Sequence, residues 1–366
     1  MNRPAMLRAA APVAITALLL VAVPALVGGS SYGLRIASLT VIVATYAVAF
    51  NLLFGHTRQL FLCIGALAGG GAYGFVLLVR DLRLAPPLAL AVVAVGVAAF
   101  GAFLSYVSIR RGFGVLFVGV VTLAVSIMFH NLLLGLRQYT NGETGLATRG
   151  VGFGLGNAPQ EGYLVLVGVL VAALAGHQAL LRSRHGLAFQ ALGEDELSAA
   201  LSGIDVTRYK VGAAAVASGL IGLVGALYAD VNGFISPSVF ALGHVDIPVF
   251  VALLLGGMRT LLGPVVGAVL FSAVDEVVRP FGQLTVLTYG TLMVVLFLLF
   301  REGVVPAVQR VLLRAWARRL RARPTPPGVE GEPVAYVAAP RTVLPPEGRN
   351  TASEGGKASA RDPSPR

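Results

Sequence analysis

Three groups of side chains in this sequence have types and spacings that suggest chemistry, and two of them lose that meaning in context. GGGAYG at Gly69 to Gly74 has the glycine spacing of a phosphate-cradling turn. That chemistry needs a strand before the turn and a helix after it. These glycines instead lie inside an apolar run, where small residues let helices approach closely. The histidines His56, His130, His177, His185 and His244 are scattered without metal-ligand spacing. Cys63 is the single cysteine, so it cannot form an intramolecular disulfide and reads as packing. No GxxxxGK(S/T), HExxH or CxxC occurs, which leaves no nucleotide loop, zinc-hydrolase helix or dithiol motif. The third group is Glu194, Asp195 and Glu196, followed by Ser198, Ala199, Ala200 and then Gly203. Acids complement the positive end of a helix dipole and glycine ends a helix, so this spacing predicts a short helix over 194–203 with an acidic first turn. Its chemistry is recognition: a charged, helix-prone segment from Ser183 to Lys210, set between apolar runs, is where a soluble partner can grip.

The elements that hold this segment are set by composition. The chain is 56% hydrophobic and only 12% charged over 366 residues, with a mean hydropathy of +0.80. A soluble domain needs more charged surface, whereas a helix needs about 20 mostly apolar residues to cross a bilayer. Apolar runs bounded by polar breaks predict spans near 9–28, 34–53, 59–79, 86–107, 113–136, 161–181, 211–230, 246–258, 264–279 and 283–300, about ten in all. The two short runs flank GGMRTLLGP, whose glycines and Pro264 also suit a re-entrant pair shielded by protein. The fold class is therefore an all-α polytopic membrane protein of about ten transmembrane helices with a short cytoplasmic coupling helix. Arg3 and Arg8 precede a first apolar core that is long for a cleaved leader, so it is expected to be retained as a span.

Basic residues orient the chain, because loops facing the cytoplasm retain Lys and Arg. Arg3, Arg8, Arg110, Arg111, Arg182, Arg184, Arg208, Lys210 and the run Arg310, Arg314, Arg318, Arg319, Arg321 and Arg323 then lie inside, with both termini, while Arg35, Arg80, Arg83, Arg137, Arg149 and Arg279 fall outside, so the bias is clear but not clean. The formal net charge of +11 follows from this topology. Nucleic-acid binding is not implied, since no basic patch interleaved with stacking aromatics is present. Residues 1–300 read as the membrane domain, 301–323 as a basic juxtamembrane segment, and 324–366, rich in Pro, Gly, Ser, Thr and charge, as a disordered cytoplasmic tail. Asp230, Asp246, Asp275 and Glu276 fall near predicted span ends and read as solvated helix ends, because an ion or proton relay wants acids deeper in the bilayer.

Residues 183 to 210 resemble the coupling segment of the branched-chain amino acid ABC transporter permeases, in which SRxGRAL leads into REDExAAxAxGI and N/DVTRYK. The matching residues are Ser183, Arg184, Gly186, Ala188, Glu194, Asp195, Glu196, Ala199, Gly203, Ile204, Asp205, Val206, Thr207, Arg208, Tyr209 and Lys210. NLLFG at Asn51, GALAGGGAY at Gly65, TNGETGL at Thr140, GLVGALYA at Gly222, GFISP at Gly233 and LLGGMRTLLGPVVGA at Leu254 resemble further blocks, so the likeness covers roughly 35–300 and is closer to the M-type permease. The chain departs from the pattern at RQLFLCIGAL, Arg58 to Leu67, where the family reads like GQLSLGHAAF. Leu187 and Gly193 stand in place of arginines, and Arg259 in place of a small residue.

The resemblance implies a type II-importer-like permease without an ATPase site or cofactor of its own. ATP is used by two separate cytoplasmic ATP-binding subunits, a second homologous permease completes the pair, and an extracytoplasmic binding protein delivers the solute at the bacterial inner membrane. It places coupling at Glu194, Asp195, Glu196, Ala199 and Gly203, where the residues alone also allow a connecting surface helix. The glycine-rich outer loop from about 137 to 160 suggests Thr140, Asn141 and Gly142 near the outer mouth, with Phe234 and Pro237 of GFISP. A simple turn with Asn141 and Gly142 at its tip is the equal alternative. The rival class is an ion-coupled secondary transporter, for which GGMRTLLGP is the supporting feature.

Overall fold

The computed structural model describes residues 3–26, 30–149, 151–278 and 303–310. Its helices start and stop where the sequence supplies the chemistry for it. α1 spans Arg3–Leu26 and α2 Ser31–Phe50. α2 runs on as a π-helical turn, Asn51–His56, and α3 spans Ile64–Arg80. α4, Pro86–Arg110, begins at a proline, whose missing N–H has no partner in a first turn anyway. α5 is Val115–Gly135, the single turn α6 is Arg137–Thr140, and α7, Pro159–Arg182, again opens on proline. α8 and α9 are the short helices Arg184–Glu194 and Glu196–Leu201. α10, Val206–Asn232, is capped by Asp205 and stopped by left-handed Gly233. α11, Asp246–Gly256, and α12, Gly263–Val278, form a hairpin around the GMRT turn.

Ser31–His56, Pro86–Arg110, Val115–Gly135, Pro159–Arg182 and Val206–Asn232 are each long and apolar enough to cross a bilayer. Their burial pattern is inverted relative to a water-soluble bundle. Ser105 and Ser108 of α4 and Thr122 and Ser126 of α5 are buried, while Val95, Leu116 and Val120 face outward. Polar groups inside and large apolar groups outside is the arrangement that hydrocarbon as solvent selects. The expected tenth span at 283–300 and the tail at 324–366 lie outside the described residues. Of the basic segment 301–323, residues 303–310 are described, and 304–310 are helical.

α10 packs between α3 and α4. The glycines of GGGAYG make that possible: a Cβ on Gly71 would collide with the Gly222 backbone, and one on Gly225 with the Ala68 backbone. Small residues thus bring two backbones into direct contact, as expected of helices that pack without a hydrophobic driving force. α2 packs against α7 and the α11–α12 hairpin, and α1 lies on α7. Strands β1, Leu146–Ala147, and β2, Phe234–Ile235, pair antiparallel, with Leu146 opposite Ile235.

Two expectations change. The stretch expected to be helical from 59 starts its helix only at Ile64, and Arg58 to Cys63 is irregular backbone, with Gln59, Phe61 and Cys63 buried and Arg58 exposed. It persists because its polar groups are satisfied: Leu62 N–H donates to Thr122 Oγ1 at 2.9 Å, and Gln59 Nε2 donates to Lys210 O at 3.0 Å. Ser105 Oγ in turn donates to Gln59 Oε1 at 2.5 Å. The second change concerns the acids. Asp246 is 0% exposed and Asp230 3%, so neither is a solvated helix end. Asp246 Oδ1 accepts from Ile64 N–H at 2.5 Å and Gly65 N–H at 3.3 Å, capping α3 from a position far along the chain. Asp230 accepts from Gly154 and Leu155 N–H at 3.2 and 3.4 Å and holds the loop after β1 to α10. Glu276 accepts from the Tyr32 hydroxyl at 2.7 Å.

Candidate functional site

The charged segment between α7 and α10 folds as two helices rather than one. Ser183 caps α8 by accepting from His185 N–H at 3.2 Å. α8 then buries Ala188, Phe189 and Leu192, with Phe189 edge-on to Tyr209 of α10 at 5.6 Å. At Asp195 the backbone turns extended, and its carboxylate accepts from Leu197 and Ser198 N–H at 3.2 Å each and from Ser198 Oγ at 2.6 Å. Those bonds, from Ser198 first and then Leu197, hold the Asp195 carboxyl below the ordinary carboxylate range, with the Arg58 charge adding to the effect.

The expected helix over 194–203 with three acids in its first turn is therefore corrected. Glu194 ends α8, Asp195 is the cap, and only Glu196 lies in the first turn of α9. The reason is local: an aspartate side chain competes for backbone N–H groups more effectively at a cap than within a helix. The glycine stop is where the sequence placed it. Gly203 has φ of +84°, its N–H donates to Ala200 O at 3.0 Å, and Ile204 N–H donates to Ala199 O at 3.1 Å, which closes the C-terminus of α9.

α9 is fastened on one face and bare on the other. Ala199 is 2% exposed, and Glu196 Oε1 pairs with Lys210 Nζ at 2.5 Å. Leu197 and Leu201, one turn apart, are 69% and 81% exposed. Two large apolar side chains projecting from a held helix form a surface that a partner can cover. Sequence reasoning weighted the acids and overlooked these leucines, although their i, i+4 spacing inside a charged loop was readable. It noted Arg259 only as a departure from the family pattern; the guanidinium donates to Gly55 O at 2.8 Å and to Gly193 O.

At the far end of α10, the residues expected near the mouth come together. Thr140 is buried; its Oγ1 donates to Leu133 O at 2.6 Å and accepts from Gly142 N–H at 3.2 Å. Asn141 and Gly142 are both left-handed, with φ of 61° and 59°. Thr140 to Gly142 thus form a tight capped turn. Phe234 is exposed and pairs through β2 with β1, and Pro237 is buried with its carbonyl 3.3 Å from His130 Nδ1. The loop after α5 and the GFISP segment therefore lie together.

The structure also joins His56 and His177, whose Nε2 atoms lie 3.2 Å apart, so one ring donates and the other accepts. Among the described residues no group of three or more His, Cys, Asp or Glu side chains is placed to hold a metal ion.

The family model described as "Branched-chain amino acid transport system / permease component" matches residues 32–300. The chain is similar to the high-affinity branched-chain amino acid transport system permease protein LivM of Salmonella typhimurium, 29% identical over 321 residues, covering 80% of this chain and 74% of that protein. It is 28% identical to LivM of Escherichia coli over 298 residues, covering 74% and 69% respectively. No solved structure matches.

Proposed function

The chain belongs to the family of branched-chain amino acid transport system permease components, and from that membership we propose how it works in the membrane. It is a multi-pass permease subunit of an ABC importer, a transport subunit rather than an enzyme. In our reading it crosses the bacterial cytoplasmic membrane about ten times in a type II-importer-like arrangement, with both termini inside. It pairs with a second homologous permease and forms the path for leucine, isoleucine, valine or a related small polar solute. A binding protein delivers the solute at the surface built by Thr140, Asn141, Gly142, Phe234 and Pro237. Two ATP-binding subunits supply the work through α9, with Glu194, Asp195, Glu196, Ala199 and Gly203 shaping the contact.

The observation that carries this reading is the build of α9. A free connecting helix would have no reason to be capped at both ends, tied by Lys210 and still present Leu197 and Leu201 outward. A helix held this firmly moves as a lever when its partner closes, tilting the spans attached to it. Leu201→Asp, and separately reversal of Glu194, Asp195 and Glu196 to lysines, is expected to lower leucine uptake and transport-linked ATP hydrolysis at least tenfold. The permease should remain in the membrane at normal abundance. Unchanged uptake in both variants would count against the reading.

The ion-coupled alternative draws on Asp246, a fully buried acid at the start of a short helix. Both of its oxygens are engaged, Oδ1 as the cap of α3 and Oδ2 accepting from Ser126 Oγ of α5 at 3.3 Å, which argues for a structural role. Uptake in vesicles without ATP, with and without an ionophore, separates the two.

A further inference from the structure

Arg259 sits in the turn between α11 and α12 with φ of 62°, a left-handed conformation that side chains with a Cβ adopt at a cost. Glycine takes that conformation freely, so an arginine there points to a task for its side chain. Its bonds converge on two elements distant in sequence. The Arg259 N–H donates to Asn51 Oδ1 at 2.9 Å, and Asn51 Nδ2 returns a bond to Thr260 O at 3.0 Å. The guanidinium Nε donates to Gly55 O at 2.8 Å, and Nη2 donates to Gly193 O. Asn51 and Gly55 lie in the π-helical turn that leads into the irregular stretch 58–63. Gly193 lies in the last turn of α8, two residues before the Asp195 cap. The fit is mutual, because a Cβ on Gly193 would run into the guanidinium.

We infer that Arg259 is a positioning residue that transmits movement of the α8–α9 segment to the broken region between α2 and α3. The guanidinium is a planar fork that fixes two carbonyls relative to each other, so a shift at Gly193 reaches Gly55 with little slack. The receiving element is suited to respond: a π turn departs from the regular helical ladder, and re-registering it breaks fewer optimal bonds than bending an α-helix. The α11–α12 hairpin moves with both, since the same residue anchors its turn. This inference rests on the coupling role proposed above for α9.

The test is hydrogen exchange by mass spectrometry on the assembled importer, with and without ATP trapped by vanadate. In the wild type, ATP is expected to change exchange at 194–203 and at 51–63. In Arg259→Ala the change at 194–203 should persist within twofold, while that at 51–63 falls at least tenfold. Arg259→Lys should restore part of it, because an ammonium reaches one of the two carbonyls. Gly193→Ala, which displaces the guanidinium without removing it, should reproduce the Arg259→Ala result and add nothing in combination with it. Should Arg259→Ala fail to assemble, Gly193→Ala decides alone. If ATP leaves 194–203 unchanged in the wild type, the coupling reading falls and this inference with it. If 194–203 responds and 51–63 responds equally in wild type and variants, only the Arg259 link is overturned.

Discussion

Removing the Asp246 carboxylate should open the protein at one identifiable place, and the single cysteine reports on it. In Asp246→Ala, Ile64 and Gly65 N–H lose an acceptor that now lies at 2.5 and 3.3 Å, and Ser126 Oγ loses its bond at 3.3 Å. A hydrogen bond to a charged group is worth about 1.5–3 kcal/mol, and a buried donor left unsatisfied costs about 1–3 kcal/mol. Only the first of these contacts is short, so a local loss of about 3 kcal/mol is expected rather than the sum of three full bonds. Cys63 directly precedes Ile64 and is 0% exposed. Its reaction with a maleimide therefore requires the start of α3 to open. At about 1.4 kcal/mol per factor of ten, modification should quicken roughly 100- to 200-fold. Asp246→Asn keeps a carbonyl acceptor for Ile64 and should stay within about tenfold of wild type. The assay follows labelling of purified permease in detergent micelles, with global unfolding measured in parallel. Labelling of Asp246→Ala at the wild-type rate would refute the account of Asp246 as the cap of α3.

Two further outcomes are specific. Gly71→Leu is expected to lower the unfolding midpoint and membrane yield, because overpacking a close helix crossing costs about 1–3 kcal/mol or more. Gly70→Leu should change little, since a Cβ there meets nothing nearer than Val97 at 4.0 Å; similar loss from both would refute the crossing as drawn. The Asp195 cap should be insensitive to pH above the ordinary aspartate value. Its carboxyl is held below 3.8 in the folded chain. The stabilisation is thus present above that value and lost as pH falls through the lower folded one. Amide exchange at Leu197 and Ser198 should lose protection only in that acidic window in wild type, whereas Asp195→Asn should show no such step.

The sequence carried the helices well where one stretch of chain settles the matter. The apolar runs of α4, α5, α7 and α10 have the length of a bilayer crossing, and Pro86, Pro159 and Gly233 mark their ends by restricting or freeing the backbone locally. Gly203 was legible as a stop for the same reason. The division of 183–210 into α8 and α9 was not, because Glu194, Asp195 and Glu196 all favour a helix N-terminus and composition does not say which one becomes the cap. Asp230 and Asp246 were misread as solvated because burial of an acid depends on what packs over it. The outward leucines of α9 had a spacing signal, but Ala199 shows that neighbouring apolar positions of the same helix can be buried instead.

By itself, the amino-acid order determined a helical membrane protein with a charged segment between two spans, because helix length, hydropathy and end signals are properties of adjacent residues; the permease reading came from the resemblance carried by residues 183–210 and the flanking blocks. Tertiary structure alone decided that Asp246 caps Ile64 across 182 positions, that Arg259 reaches Gly55 across 204, and that His56 meets His177 across 121. The physical reason is that such contacts depend on how the helices cross: small residues such as Gly71 and Gly225 show in the sequence that a close approach is permitted, but which helix they meet is settled only by packing.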